Sequence, residues 1–165
     1  MVIRAAVGAD LPGILAIYNE VILTSTAIYT DDLVSLEDRT AWFAARQAQG
    51  YPVLVAEDAA GIAGFSSFGD FRAWPGYRHT VEHSVHVRSD CRGQGLGRAL
   101  VTGLFAPAVA LGKHVMVAGV DAENAASIAF HECLGFQRVA HFREVGRKFG
   151  RWLDLVFLQR ILDAG

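Results

Sequence analysis

Val85-His86-Val87-Arg88-Ser89-Asp90-Cys91-Arg92-Gly93-Gln94-Gly95-Leu96-Gly97-Arg98 is the stretch that decides how this chain is built. Its opening residues close an apolar, β-favouring run from Thr80 to Arg88, which reads as a strand. Three glycines follow at alternate positions, and a helix then begins with Leu96, Leu100 and Leu104 on one side. Glycines let a backbone turn tightly and approach a ligand with no Cβ in the way. The first N–H groups of the helix lack internal partners, and the helix dipole makes them a site for an anion such as pyrophosphate. Arg92 and Arg98 can add charge-assisted hydrogen bonds. The spacing is neither GxGxxG nor GxxxxGK[ST], so neither a Rossmann dinucleotide site nor a P-loop is supported. For the glycines alone, a plain turn flanked by surface arginines is an equal reading.

Working outward, the chain mixes strands and helices without repeats or linkers. Val2 to Ala6 reads as a first strand. Asp10 reads as an N-cap, with Pro12 in the first turn and Leu11, Ile14, Leu15 and Tyr18 at helical spacing. A second helix is expected over Ser35 to Gln47, opened by the capping-box-like Ser35-Leu36-Glu37-Asp38. Tyr51 to Glu57 and Gly61 to Phe71 read as strands joined by a turn, and His114 to Val120 as another. Asn124 opens a helix that Gly135 ends, and Phe136 to Phe142 and Trp152 to Gln159 supply the last strands. Pro107 predicts a kink or break in the helix that follows the glycines. The pattern is a mixed α/β (α+β) fold in a single domain over residues 1–165.

Composition narrows the function. The chain is 52% hydrophobic and 19% charged, which suits a packed domain rather than disorder. A formal net charge of −2 offers no general attraction to nucleic acid or anionic membranes. No signal-like start or membrane-length apolar run is present, and the two cysteines, Cys91 and Cys133, form no CxxC pair. A cytoplasmic protein is the expectation. The six histidines match neither a zinc ribbon nor HExxH, so no metal is expected.

Arg92-x-x-Gly95-x-Gly97 after an apolar strand resembles the acetyl-CoA pyrophosphate loop of the GCN5-related N-acetyltransferases. Asn124-Ala125-Ala126-Ser127-Ile128 through His131-Glu132-Cys133-Leu134-Gly135-Phe136 resembles their second cofactor segment. Three further segments, Ile17 to Glu20, Thr80 to Val85 and Val145 to Asp154, resemble the phosphinothricin and methionine sulfone/sulfoximine N-acetyltransferases. The resemblance runs nearly end to end. It implies a twisted sheet splayed between two strands, acetyl-CoA in the gap, and a homodimer. It implies cofactor contacts at Val85, His86 and Val87, along Gly93, Gln94, Gly95, Leu96, Gly97 and Arg98, and at Asn124 and Cys133. Asn124 also reads as a helix cap.

Amide formation needs a neutral amine beside the thioester, so a base or water relay must remove a proton. Alternation along the strand puts Glu82, Ser84 and His86 on one face and Val81, His83, Val85 and Val87 on the other, unless a bulge re-aims them. By pattern, Glu82 is an ordinary surface carboxylate; by the resemblance, it is the candidate base. His131 shares a helix face with Asn124 and Ser127 and is the second catalytic candidate, with a packed polar role as the bland alternative. The resemblance implies a substrate-facing set of Arg72, Ala73 and Trp74 with Glu82, His83 and Ser84. Arg72 and Arg78 flank an aromatic loop and could fork a carboxylate, or could be solvated loop arginines. Lys148, Phe149 and Trp152 border the pocket, belong to the core or serve dimerisation.

Together these imply acetyl transfer from acetyl-CoA to the free amine of a small amino-acid-like substrate such as methionine sulfone, methionine sulfoximine or phosphinothricin, within a ternary complex. The rivals are a protein N-terminal or polyamine acetyltransferase and a catalytically silent acyl-CoA sensor.

Overall fold

The structure, a computed structural model, describes residues 1–163. Seven strands form one sheet in the order β1-β2-β3-β4-β5-β7-β6. They are β1 (Val2–Ala5), β2 (Val53–Asp58), β3 (Gly61–Asp70), β4 (Thr80–Val87), β5 (Val115–Asp121), β6 (Gln137–Lys148) and β7 (Arg151–Ile161). Among the described residues, five α-helices flank it: α1 (Leu11–Thr24), α2 (Leu36–Gln49), α3 (Leu96–Thr102), α4 (Phe105–Ala110) and α5 (Ala125–Cys133). Helices α1 and α2 pack through Ile14, Ile17 and Phe43 on Val55 and Phe65. The larger core on the other face joins Val81, Val101, Leu104, Met116, Ile128, Phe136 and Leu158.

Every strand pair is antiparallel except β4 with β5. That parallel pair is short, joining Thr80–Glu82 only to Val115–Val117. Past Glu82, β4 continues beside β3 to Val87, while β5 continues beside β7 to Asp121. The two strands splay apart, and a parallel pair needs covering on both faces. The gap is the architectural feature that positions the site.

Local chemistry explains most boundaries. Ser35 Oγ accepts the Asp38 N–H at 3.1 Å while Asp38 accepts the Ser35 N–H at 3.2 Å, the reciprocal cap the sequence predicts. Asp10 behaves otherwise: it makes no side-chain cap on α1. Its carboxylate accepts the Val7 N–H at 2.8 Å and ion-pairs with Arg4 at 2.7 Å, so the nearby cation outcompetes the helix end. The helix interruption falls at Gly103–Leu104, ahead of Pro107. A proline obstructs the carbonyl four residues earlier, and Gly103 holds that position. Strand β6 outruns its expected end at Phe142, because a register shift between Phe142 and Gly146 breaks the alternation. No bulge re-aims β4 against β3: the pairing runs from Gly64↔Val87 to Asp70↔Val81 without a shift. Among the described residues, no helix is long and apolar enough to cross a membrane.

Candidate active site

Two cavities meet in the gap between β4 and β5. The larger, about 710 Å³, runs from Val85, His86 and Val87 past Cys91 and the glycine turn to Asn124, Phe130 and Cys133. Gly95 supplies a left-handed residue (φ 80°) just before α3, and the next residues present the unpaired N–H groups of a helix start. Nothing lies within 4 Å of a Cβ placed on Gly95, so its backbone conformation, not lack of space, calls for glycine. Arg92 and Arg98 line the same mouth. Ten of the sequence-predicted cofactor residues line this cavity, namely Val85, His86, Val87, Gly93, Gly95, Leu96, Gly97, Arg98, Asn124 and Cys133. Gln94 does not; it is exposed and reaches back toward the Asp90 carbonyl at 3.5 Å. Asn124 also caps α5, its Oδ1 accepting the Ser127 N–H at 3.0 Å.

The smaller cavity, about 430 Å³, shares Val85, His86, Asn124 and Ser127 with the first and continues between β4 and the two N-terminal helices. Glu82, His83 and Ser84 line it. Alternation holds: His86 stacks near Tyr18 and Phe65 on the α1/α2 side, whereas His83 meets His131 and Phe136 on the α5 side. Glu82 is partly buried, and that burial raises its carboxyl pKa above the usual range. A Cβ on Gly119 would stand 3.3 Å from Glu82 Oε2, so the missing side chain on β5 leaves room for the carboxylate.

His131 is 4% exposed. Its Nδ1 lies 2.7 Å from the Ser127 carbonyl, which can only accept, so Nδ1 carries the proton. The bare Nε2 then accepts from His83 Nε2–H at 3.1 Å, and the buried His83 Nδ1 is left without a partner. Burial, reinforced by the neighbouring imidazoles of His131 and His86, pulls the His83 pKa down to about 3. Burial, aided by Arg39 and Arg92, takes His86 down to about 4. Burial also lowers His131. These three rings are neutral near pH 7.

Arg72, Ala73 and Trp74 lie outside both linings, on the exposed segment between β3 and β4. Trp74 is 70% exposed, and Arg72 stacks on Tyr77 at 5.2 Å. Lys148 is fully buried and does not border the pocket. Its ammonium donates to the Ser25 and Ile28 carbonyls at 2.6 and 2.8 Å, clasping the loop whose Ala27 and Ile28 line the acceptor side. Phe149 and Trp152 are exposed rather than core.

Among the cavity residues that escaped the sequence reading are two cations. Arg39 and Arg46 on α2 both line the smaller cavity. Positions 39, 42, 43 and 46 share one helix face, so two arginines flanking Trp42 and Phe43 on an apolar stripe were the available signal.

A splayed sheet, an anion-binding turn and a second cavity opening onto the same gap define an enzyme that carries a group from a nucleotide-linked donor to a small acceptor. Residues 3–157 match the acetyltransferase (GNAT) domain model. The L-methionine sulfoximine/L-methionine sulfone acetyltransferase of Pseudomonas paraeruginosa (strain PA7) is 56% identical, over 98% of this chain and 94% of that one. A phosphinothricin N-acetyltransferase of Alcaligenes faecalis is 36% identical, over 99% and 83%. A structure of YncA from Salmonella typhimurium with its cofactor acetyl-CoA superposes with a TM-score of 0.96 at 50% identity, covering 100% of this chain and 95% of that one. A ribosomal-protein-alanine N-acetyltransferase from Brucella melitensis also reaches 0.96, at 48% identity, covering 98% and 100%. The chain belongs to the GNAT family and is an acetyl-CoA-dependent N-acetyltransferase.

Proposed function

We propose that this enzyme acetylates the α-amine of a small amino-acid-like acceptor of the methionine sulfone, methionine sulfoximine and phosphinothricin type. The observation that carries this reading is the smaller cavity, about 430 Å³, whose lining brings the Glu82 carboxylate beside the splay together with the Arg39 and Arg46 guanidiniums. Such a volume holds a single amino acid, and the Arg39 and Arg46 guanidiniums in its wall disfavour a cationic polyamine.

Acetyl-CoA supplies an activated acyl carbonyl. The edge of β4 from Val85 to Val87 offers backbone bonds to its pantetheine arm, and the turn from Gly93 to Arg98 offers N–H groups and a guanidinium to its pyrophosphate. Glu82, directly or through water, takes the proton from the acceptor's ammonium, and the freed amine attacks the thioester carbonyl. A backbone N–H of β4 near Val85 meets the developing oxyanion, and the expelled thiolate regains a proton. No acetyl-enzyme is needed: Cys91 is buried, with its thiol pKa raised chiefly by burial. His131 is the second proton-handling candidate. With both ring nitrogens engaged, it acts through its bond to His83.

We assign the whole chain to one acetyltransferase domain acting as a cytoplasmic homodimer. Unpaired Cys91 and Cys133 suit a reducing compartment, and exposed Trp74, Phe149 and Trp152 suit a protein face. Arg72, Ala73 and Trp74 then form a rim that the second copy brings to the acceptor's side chain. Protein N-terminal acetylation is the second reading, favoured by the likeness to the Brucella protein.

The test is acetyl-CoA turnover with methionine sulfone, methionine sulfoximine, phosphinothricin, common amino acids, polyamines and alanine-starting peptides, with product followed by mass spectrometry. Selective acetylation of the free amino acids supports the proposal. Preference for peptides overturns it in favour of the second reading, and acetyl-CoA binding without any product identifies a silent sensor.

A further inference from the structure

Arg39 is 93% buried by its 7% exposure, yet no carboxylate of this chain lies within ion-pair distance of it among the described residues. Its Nε has no hydrogen-bond partner among the described residues. Tyr18 and Trp42 hold the guanidinium plane, with ring centroids 4.1 and 4.4 Å from its central carbon. Arg39 lines the acceptor cavity, as Glu82 and Ser84 do. A buried guanidinium without a counter-charge is costly, and it stays protonated because its intrinsic basicity is so high. Two aromatic faces orient the fork, and the Tyr18 hydroxyl beside it is a neutral acceptor that supplies no counter-charge. What the site lacks is a planar anion carrying two oxygens.

We infer that Arg39 binds the α-carboxylate of the acceptor as a two-bond fork, so that the same molecule presents its amine toward Glu82. This rests on the amino-acid acceptor reading above and moves carboxylate recognition from Arg72 to a residue of α2. The neighbouring Arg46 is a weaker candidate: it contacts Gln49 at 3.5 Å and lies against the backbone of Gly69, whose strand partner is Glu82. Recognition of a carboxylate by Arg39 also explains why a free amino acid, rather than a simple amine, fills this cavity. An acceptor lacking the carboxylate would leave the guanidinium buried and unpaired.

The experiment compares methionine sulfone with its α-carboxamide, which keeps the amine and side chain but removes the charge. Calorimetric titration into protein loaded with coenzyme A measures acceptor affinity without turnover. The wild type should bind the acid on the order of a hundredfold more tightly than the amide. In Arg39→Met the two should bind alike, and Arg39→Lys, which keeps the charge but not the fork, should restore part of the preference. Thermal melting separates this from a structural role: replacing an unpaired buried charge by methionine should leave the melting temperature unchanged or raise it. Undiminished preference in Arg39→Met, or a preference lost in Arg72→Met instead, overturns the inference. Wild-type protein that prefers the acid but forms no product with acetyl-CoA overturns the transfer reading while leaving Arg39 as the carboxylate anchor. Wild-type protein that binds neither compound overturns both.

Discussion

Glu82 is the residue on which the proposed chemistry turns, and its surroundings set its behaviour. It lies where β4 loses its β5 partner, against Gly119, whose lack of a side chain makes room for it, and burial raises its pKa. A base works only when deprotonated, so kcat/KM should rise with pH through a midpoint above the ordinary carboxylate value. Glu82→Gln should lower kcat by roughly 10²- to 10⁴-fold, leave the KM for acetyl-CoA unchanged and abolish that acid limb. Turnover of the variant matching wild type across the pH range would remove Glu82 from this role. The linkage for stability has the opposite sense to that of a salt-bridged acid. With the folded pKa raised, the contribution of Glu82 to stability is complete below its unfolded pKa and is lost as pH rises through the folded one.

At the scale of elements, the glycine turn and α3 form a unit whose geometry depends on backbone conformation more than on contacts. Gly95 sits at φ 80° with open space where a Cβ would stand. Gly95→Ala therefore tests conformational cost alone, about 1–2 kcal/mol for an L-residue in the left-handed region. A fall in melting temperature of about 2–8 °C is expected. The KM for acetyl-CoA should also rise while kcat at saturation holds, because the change re-aims N–H groups that face the donor. Kinetics for both substrates decide it: an altered acceptor KM with an unaltered acetyl-CoA KM would contradict this assignment of the turn. Loop 25–28 belongs to the same scale, pinned by the Lys148 ammonium from β6.

For the whole molecule, the neutral histidines lining the smaller cavity tie stability to pH. His83 and His86 have folded pKa values of about 3 and about 4, below the ordinary 6.5. Below pH 6.5 the unfolded chain takes up protons that the folded chain refuses, so stability is lost as pH falls from about 6.5 toward those values. Chemical denaturation between pH 6.5 and 5 should show this decline, above the window in which carboxylates such as the Arg4-paired Asp10 contribute. His86→Gln should flatten the slope; an unchanged slope would show that His86 does not titrate in the unfolding reaction.

The sequence by itself determined the elements and the donor side. Helix caps, the strand before the glycines and the turn itself act within a few residues, so Ser35-to-Asp38, Gly95 and Asn124 were legible as local chemistry. The family resemblance likewise picked out residues along β4 and α5 that line one cavity. Only the tertiary structure decided the acceptor side. Asp10 was drawn from its cap by Arg4, and Lys148 was carried from β6 to a loop more than a hundred positions earlier in the chain. His131 and His83, from different elements, were placed in contact, while Arg72 to Trp74 were left outside both cavities. Arg39 changed most in meaning. In the sequence it is one charge among several on a helix; packed beside Tyr18 and Trp42 it is a buried cation with no carboxylate partner among the described residues. Burial and pairing are properties of neighbours distant in the chain, and no local pattern encodes them.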